Sequence, residues 1–289
     1  MELARDFDEL EARGIRLVTI SYDSGAVLRA FAERHGITFT MLSDPSSEVI
    51  ERFDLLNPVP EWNLGEDRGT PGIQEAVATY VSVVGANANM VGIAFPGTLI
   101  LDAEGRVEER YFEDFYIERN TISSVLIRRG EGSPPVEATH VGTAQLDLTT
   151  WSGNSELAAG NRFTLVLSVE PHGGMHVYAP GAEAGGYRVI ALEIEPQPFI
   201  RVLPMAYPES QPYYFEPLDE TVPVYEQPFT LLQGVILEGS PEAQNLLRGR
   251  GSVTIAGTLA YQACDASVCY SPVRVPLSWT MSLRPLVFR

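Results

Sequence analysis

The run VRVPLSWTMSL, Val273 to Leu283, places Val273, Val275, Leu277, Trp279, Met281 and Leu283 at every second position. A period of two marks a strand with one face in a core and the other towards water. Working outward, the same period recurs in Phe163, Leu165, Leu167 and Val169. It recurs again in Val253, Ile255, Leu259 and Tyr261, with Gly257 at the remaining position. Proline-rich turns separate these runs, and only Pro241 to Arg248 has a helical pattern. Residues 140–289 are therefore expected to form an all-β sandwich in one domain.

Upstream, RRGEGSPPVEAT (Arg128 to Thr139) is rich in glycine, proline and charge, and residues 129–139 read as a linker open to proteases near Ser133-Pro134-Pro135. Residues 1–128 alternate helix and strand patterns. Leu3, Phe7 and Leu10 have helical spacing up to Gly14, Ile15–Ser21 and Thr38–Leu42 read as strands, and Ser24–His35 is an amphipathic helix between them. Asp44-Pro45 predicts an N-cap followed by a proline at the first helical position. A helix is expected near 73–84, a hairpin over Thr98–Asp102 and Val107–Phe112, and a last helix at Thr121–Arg128. Such alternation indicates an α/β unit.

Composition narrows the function. The 289 residues carry a net charge of -18, and every one of the 20 basic residues is arginine. Without lysine there is neither a P-loop lysine nor a Schiff base, and an acidic chain without a basic stripe repels nucleic acid. No apolar run is long enough for a membrane-spanning helix, and MELARDFDELEARG lacks the basic start and apolar middle of a secretory signal.

The only cysteines, Cys264 and Cys269, lie in YQACDASVCYSP, Tyr261 to Pro272. The flanking runs read as strands, so the pair sits near a turn, where adjacent strand ends can meet the spacing a disulfide needs. So short a loop makes a weak staple, and a short exposed bridge is the kind more readily exchanged. A zinc site with His172 and His176 (H-x3-H) is the rival reading, but the glycines of HGGMH and the distance in sequence disfavour it. No metal or cofactor is expected. In sequence, Asp265 is the charged neighbour of the cysteines and no Arg or His adjoins them, which argues against a pre-formed thiolate.

Two resemblances follow. ISYDSGAVLRAFAERHGITFTMLSDPSSEVIERFDLLN with AFPGTLILDAEGRV resembles the AhpC/TSA-type redoxins of the thioredoxin superfamily. It implies a thioredoxin-like fold with a cis proline at Pro96 facing a redox cysteine. That cysteine, and the strand before it, have no counterpart here, which suggests a chain starting inside a longer protein or a redoxin kept as a scaffold. The missing strand would leave open sheet edges, which favours the first. YQACDASVCYSPVRVPLSW, GGMHVYAPG and YYFEPLDETVPVYEQPF are similar to the N-terminal periplasmic domain of the thiol:disulfide interchange protein DsbD. This second resemblance implies an immunoglobulin-like domain that takes electrons from a membrane partner and reduces disulfides in client proteins outside the cytoplasm. It makes Cys264 and Cys269 the redox pair and sets Tyr178 beside them, with Tyr270 and Pro272 continuing the motif. An aromatic cover is implied from Tyr213, Tyr214 and Phe215, for which ordinary core packing is the alternative. The combined expectation is an incomplete thioredoxin-like α/β domain followed by an immunoglobulin-like sandwich that relays electrons through one disulfide. The alternatives are a peroxiredoxin-type reductase within a longer parent chain and a binding scaffold with a structural disulfide. On the relay reading, Cys269→Ser should trap a mixed disulfide at Cys264.

Overall fold

The computed structural model describes residues 2–64, 74–75, 77–78, 90–112, 118–132, 134–135, 137–216 and 219–284. The chain divides into two compact units, Met1–Tyr116 and Ile117–Arg289. Among the described residues no helix is long and apolar enough to cross a membrane.

In the first unit, helices α1 (Glu2–Arg5) and α2 (Phe7–Ala12) precede strand β1 (Val18–Ser21), and Gly14 turns the chain between them at φ 75°. Helix α3 (Gly25–His35) starts where the Ser24 hydroxyl accepts the Val27 N–H, and it ends at Gly36 in the left-handed region. It leads to β2 (Thr40–Ser43), which pairs with β1 in parallel. Asp44 does cap a helix, but not as expected. Helix α4 (Glu48–Arg52) begins after a turn, and the Asp44 carboxylate reaches forward to accept the Val49 and Ile50 N–H groups, both at 2.9 Å. Helix α5 (Val59–Leu64) follows. The helix expected over 73–84 lies largely outside the described residues. Strands β3 (Gly97–Leu101) and β4 (Val107–Phe112) form the expected hairpin, its turn held by the Asp102 carboxylate on the Glu104 and Arg106 N–H groups.

The Phe95–Pro96 peptide, expected to be cis, is trans. The Phe95 N–H donates to the Leu55 carbonyl at 2.7 Å, and the chain runs on directly into β3. The trans isomer is the one an X–Pro bond ordinarily prefers, by about 0.5–1 kcal/mol. This peptide therefore lends no support to the redoxin reading.

The second unit is mostly β. Its first elements are β5 (Arg119–Asn120) and helix α6 (Ile122–Arg128). The sequence pattern assigned this helix to the first half; the structure places it here. Strands β6 (Thr139–Gly142), β7 (Leu146–Ser152), β8 (Glu156–Leu157), β9 (Asn161–Pro171), β10 (His176–Tyr178) and β11 (Ala191–Ile194) follow. Then come β12 (Ile200–Ala206), β13 (Gln211–Phe215), β14 (Glu220–Tyr225) and β15 (Phe229–Leu237). Helix α7 (Pro241–Leu247), β16 (Ser252–Tyr261), β17 (Ala263–Cys264) and β18 (Val273–Leu283) complete it.

One sheet runs β12-β15-β9-β7-β6, a second β11-β16-β18-β8, and a third β13-β14-β10-β17. The period-two residues read from the sequence fill a shared core: Phe163, Leu165, Leu167, Val169, Val253, Ile255, Leu259, Tyr261, Val275, Leu277, Trp279 and Met281 are all buried. The Trp279 indole N–H donates to the Thr150 hydroxyl, which donates to the Val166 carbonyl, so the buried polar atoms are paired. At Gly257 a Cβ would stand 2.9 Å from the Glu193 carbonyl oxygen of the neighbouring strand, so the missing side chain allows the approach of β11.

Helix α6 lies against the first sheet. Ile127 clusters with Trp151 and Val166, the Ser124 hydroxyl meets that of Thr164 at 3.0 Å, and Thr121 donates to the Asn154 side chain at 2.7 Å. Strand β5 pairs in parallel with Asn161 and Arg162 of β9, just beyond the point where β7 leaves off at Ser152 opposite Leu165. The unit boundary thus falls well before the expected linker at 129–139, because Glu118, Arg119, Thr121, Ser124 and Ile127 are tied to the sandwich.

Candidate functional site

The two cysteines form a disulfide, and their position follows from the backbone. Strand β16 runs in the second sheet to Tyr261, whose hydroxyl donates to Thr143. The chain then changes sheets at Gln262 and continues as β17 against β10. Gln262 holds this corner: its side-chain oxygen accepts the Arg188 N–H and its amide donates to the Tyr270 carbonyl. Beyond Cys264 the chain doubles back. The Asp265 N–H donates to Val268 and the Tyr270 N–H to Ala263, so Cys264 and Cys269 face each other between two backbone hydrogen bonds. This is the non-hydrogen-bonded antiparallel pair, in which side chains approach most closely, and the Cα atoms are 4.1 Å apart.

Asp265 builds the loop. One carboxylate oxygen accepts the Ser267 and Val268 N–H groups, both at 2.7 Å, and the other accepts the Tyr270 hydroxyl at 2.8 Å. The bonds from Ser267 and then Tyr270 hold its carboxyl below the usual value. The Asp265 charge is thereby taken up by the loop. Tyr270 serves as a loop tether more than as a cover.

Alternation sorts the remaining residues. On one face of the third sheet, Val177, Tyr225 and Ala263 join the main core. On the other, Tyr178, Val222, Val224 and Cys264 form a separate buried cluster with Ala182, and Tyr187, Val189 and Tyr213 pack against it. The Tyr178 hydroxyl lies 3.0 Å from the Cys264 sulfur and 3.4 Å from that of Cys269. Its ring stacks on Tyr187 at 4.2 Å, and the Tyr187 hydroxyl donates to Glu220. Burial, reinforced by Tyr187 and Glu220, raises the Tyr178 pKa well above the ordinary phenol range. Tyr178 therefore remains a proton donor towards sulfur.

The expected aromatic cover is only partly present. Tyr213 packs in the cluster and its ring lies 4.2 Å from that of His176. Tyr214 points the other way, 57% exposed, with its hydroxyl on Asp219. Phe215 shares the parity of Tyr213 and is half-buried, but it does not join the cluster. The run YYF is a strand, so neighbouring side chains take opposite faces. Tyr187, Gln262 and Glu220 were not singled out in the sequence. Pro96 belongs to the first unit.

The histidines separate. His172 meets the Ala144 carbonyl and the Asp147 carboxylate, whereas His176 is buried on β10 directly opposite Cys264. Among the described residues no cluster of three or more His, Cys, Asp or Glu could hold a metal ion. Burial keeps the His176 pKa below the ordinary imidazole value, against the pull of Glu226 and Asp265. This gives a pH dependence with a definite sign. An unfolded histidine takes its proton at about 6.5, but the folded one takes it only lower, so the unfolded state binds more protons between the two values. The oxidised protein is expected to lose stability as pH falls through that window, and His176→Phe should flatten this part of the slope. Denaturant midpoints measured across it test the point; an identical slope in the variant would assign the loss to other groups.

The two cysteines differ in exposure. Cys264 is 1% exposed, whereas Cys269 is exposed at the surface beside Val268, itself 51% exposed. The strand pairing that buries Cys264 leaves Cys269 on the outer side of the hairpin, whereas the sequence reading expected a partner to be trapped on Cys264.

Compared with known proteins, residues 1–110 match the AhpC/TSA family, and residues 152–275 match the N-terminal part of the thiol:disulfide interchange protein DsbD. The second match includes both cysteines. The chain is similar to the crystal structure of the Neisseria meningitidis DsbD N-terminal domain in the reduced form. Identity is 14% and the TM-score 0.28, over 41% of this chain and 80% of that one. It is also similar to the N-terminal periplasmic domain of ScsB from Proteus mirabilis, with 12% identity and a TM-score of 0.32, over 50% of this chain and about half (49%) of that one. No curated protein matches the chain.

Proposed function

We propose that this protein passes electrons to other proteins by reversible opening of the Cys264–Cys269 disulfide. The observation that carries the reading is the asymmetry of the pair: Cys269 is open to solvent while Cys264 is buried with the Tyr178 hydroxyl at 3.0 Å. A partner's thiolate attacks Cys269, forming the mixed disulfide, and Cys264 leaves with the electron pair of the broken S–S bond. The Tyr178 O–H supplies a hydrogen bond to that leaving sulfur. A second thiolate on the partner then attacks its own sulfur in the mixed disulfide and releases Cys269. The partner ends as a disulfide and this protein as a dithiol; run backwards, the same steps reduce a client.

The DsbD-type match supports this chemistry and, with it, a location outside the cytoplasm, a membrane protein as electron donor and disulfide-bearing clients. We read the first unit as an incomplete thioredoxin-like domain of AhpC/TSA type. The sequence has no cysteine before Cys264, so in this chain the exchange chemistry rests with the sandwich.

Two backbone hydrogen bonds and the Asp265 carboxylate hold this hairpin alongside the disulfide, which supports an exchangeable bond over a staple. The reduction potential, measured by equilibration with glutathione or dithiothreitol buffers, tests the proposal. Exchange-active pairs lie above about -300 mV and structural disulfides below it. A value above that line is expected, and one below it would make the bond structural.

A further inference from the structure

In the disulfide state His176 sits in a buried aromatic setting with no explained role. It stands directly opposite Cys264 in the antiparallel pairing of β10 with β17, so the two side chains share a face. Directly opposed residues have Cβ atoms about 4.5–5.5 Å apart. The imidazole is 3% exposed, lies 4.2 Å from the Tyr213 ring, and meets Tyr178 edge-on at 5.6 Å. Two aromatic rings thus pack against it on the face of the sheet that carries Cys264.

We propose that His176 is the proton store for the buried sulfur. When a partner's thiolate bonds to Cys269 and Cys264 departs with the electron pair, the imidazole takes up a proton and the two remain paired as thiolate and imidazolium. This rests on the exchange reading above. A sulfur anion at the Cys264 position is enclosed by apolar groups and aromatic rings, with the Tyr178 hydroxyl at hydrogen-bonding distance. Burial of an anion with so little compensation is costly, and a cation on the directly opposed residue is the direct remedy.

The groups acting on the imidazole fit the role. Tyr178 on its own strand and Tyr213 on β13 are phenols, Cys264 faces it from β17, and the carboxylates of Asp265 and Glu226 act from the adjoining loops. In the oxidised state burial outweighs those two carboxylates and holds the imidazole pKa below its ordinary value, which favours the neutral ring. Adding a thiolate directly opposite tips the balance towards the charged form. The books close over the full reaction. The partner's two thiols lose two electrons and two protons, the disulfide gains both electrons, the exposed Cys269 takes one proton from water, and Cys264 and His176 share the other.

The test uses the full chain carrying Cys269→Ala, in which Cys264 is the single thiol, with and without His176→Phe. Thiolate absorbance followed against pH should show Cys264 ionising about one to three pH units lower when His176 is present. In the unmutated chain, nuclear magnetic resonance of the imidazole nitrogens should show His176 neutral in the oxidised protein and protonated in the dithiol at the same pH. Equal thiol midpoints in the two variants, or an imidazole neutral in both redox states, would overturn the proposal. If the double variant does not fold, the resonance measurement on the unmutated chain decides. A disulfide that resists all thiols would instead count against the exchange reading, while leaving the Cys264 titration in Cys269→Ala readable.

Discussion

Cys264→Ser, treated with an aromatic disulfide or a dithiol protein lacking its resolving cysteine, is expected to form a mixed disulfide at Cys269 about 100-fold faster than Cys269→Ser forms one at Cys264. Thiol–disulfide exchange needs direct access to sulfur. Cys269 is at the surface, whereas Cys264 is 1% exposed within the cluster of Tyr178, Val222 and Val224, against which Tyr187 and Val189 pack. Reaction at Cys264 therefore waits on local opening of that layer. An opening that costs about 2.8 kcal/mol slows the reaction 100-fold, at 1.4 kcal/mol for each factor of ten. The rate of adduct formation for each variant, read by mass spectrometry, checks this. Equal rates, or faster reaction at Cys264, would show that partners enter at the buried sulfur and would sink the order of events proposed here.

A fragment comprising residues 117–289 is expected to be more stable than one comprising 140–289 by about 3–5 kcal/mol. Ile127 alone, buried against Trp151 and Val166, accounts for about 1.5–3 kcal/mol. Its removal also exposes that Trp–Val surface, opens the Ser124–Thr164 and Thr121–Asn154 contacts, and strips β5 from the start of β9. Urea unfolding of the two fragments measures the difference. Cleavage of the intact chain in the exposed stretch around Pro134 and Pro135 should, by the same reasoning, leave residues 117–132 bound to the sandwich. Fragments of equal stability would mean that the helix is only an ornament of the linker.

The sandwich was legible because its core is periodic. Every alternate apolar residue in Val273–Leu283 from Val275 to Met281 is buried, as are the corresponding residues of β9 and β16. Helix α6 was misplaced for a different reason. Its pattern shows that it has an apolar face but not which core that face seeks, and the answer lies in Trp151 and Val166, residues distant in sequence. The cysteines and Tyr178 were found through a motif. His176 was noticed only as half of a zinc pattern, although the alternation in MHVY sets it on the same face as Tyr178. Reading Tyr213-Tyr214-Phe215 as a strand would likewise have excluded Tyr214, since period two sends it outward. The difference between the two sulfurs was not accessible from sequence. It depends on β10 lying along one side of Cys264, a pairing between segments far apart in the chain.

The hairpin around the disulfide owes its shape to groups that carry no sulfur. The Asp265–Val268 and Tyr270–Ala263 backbone bonds and the Asp265 carboxylate hold the two strands in register across the pair. Reduction would remove one covalent bond and leave these hydrogen bonds to hold the frame. On the exchange reading proposed above, the same hydrogen bonds would hold the hairpin in both states, and the change would centre on the two sulfurs and the His176 proton. On that reading the domain would offer visiting proteins nearly the same contour in both states, and the direction of flow would follow the difference between its potential and theirs.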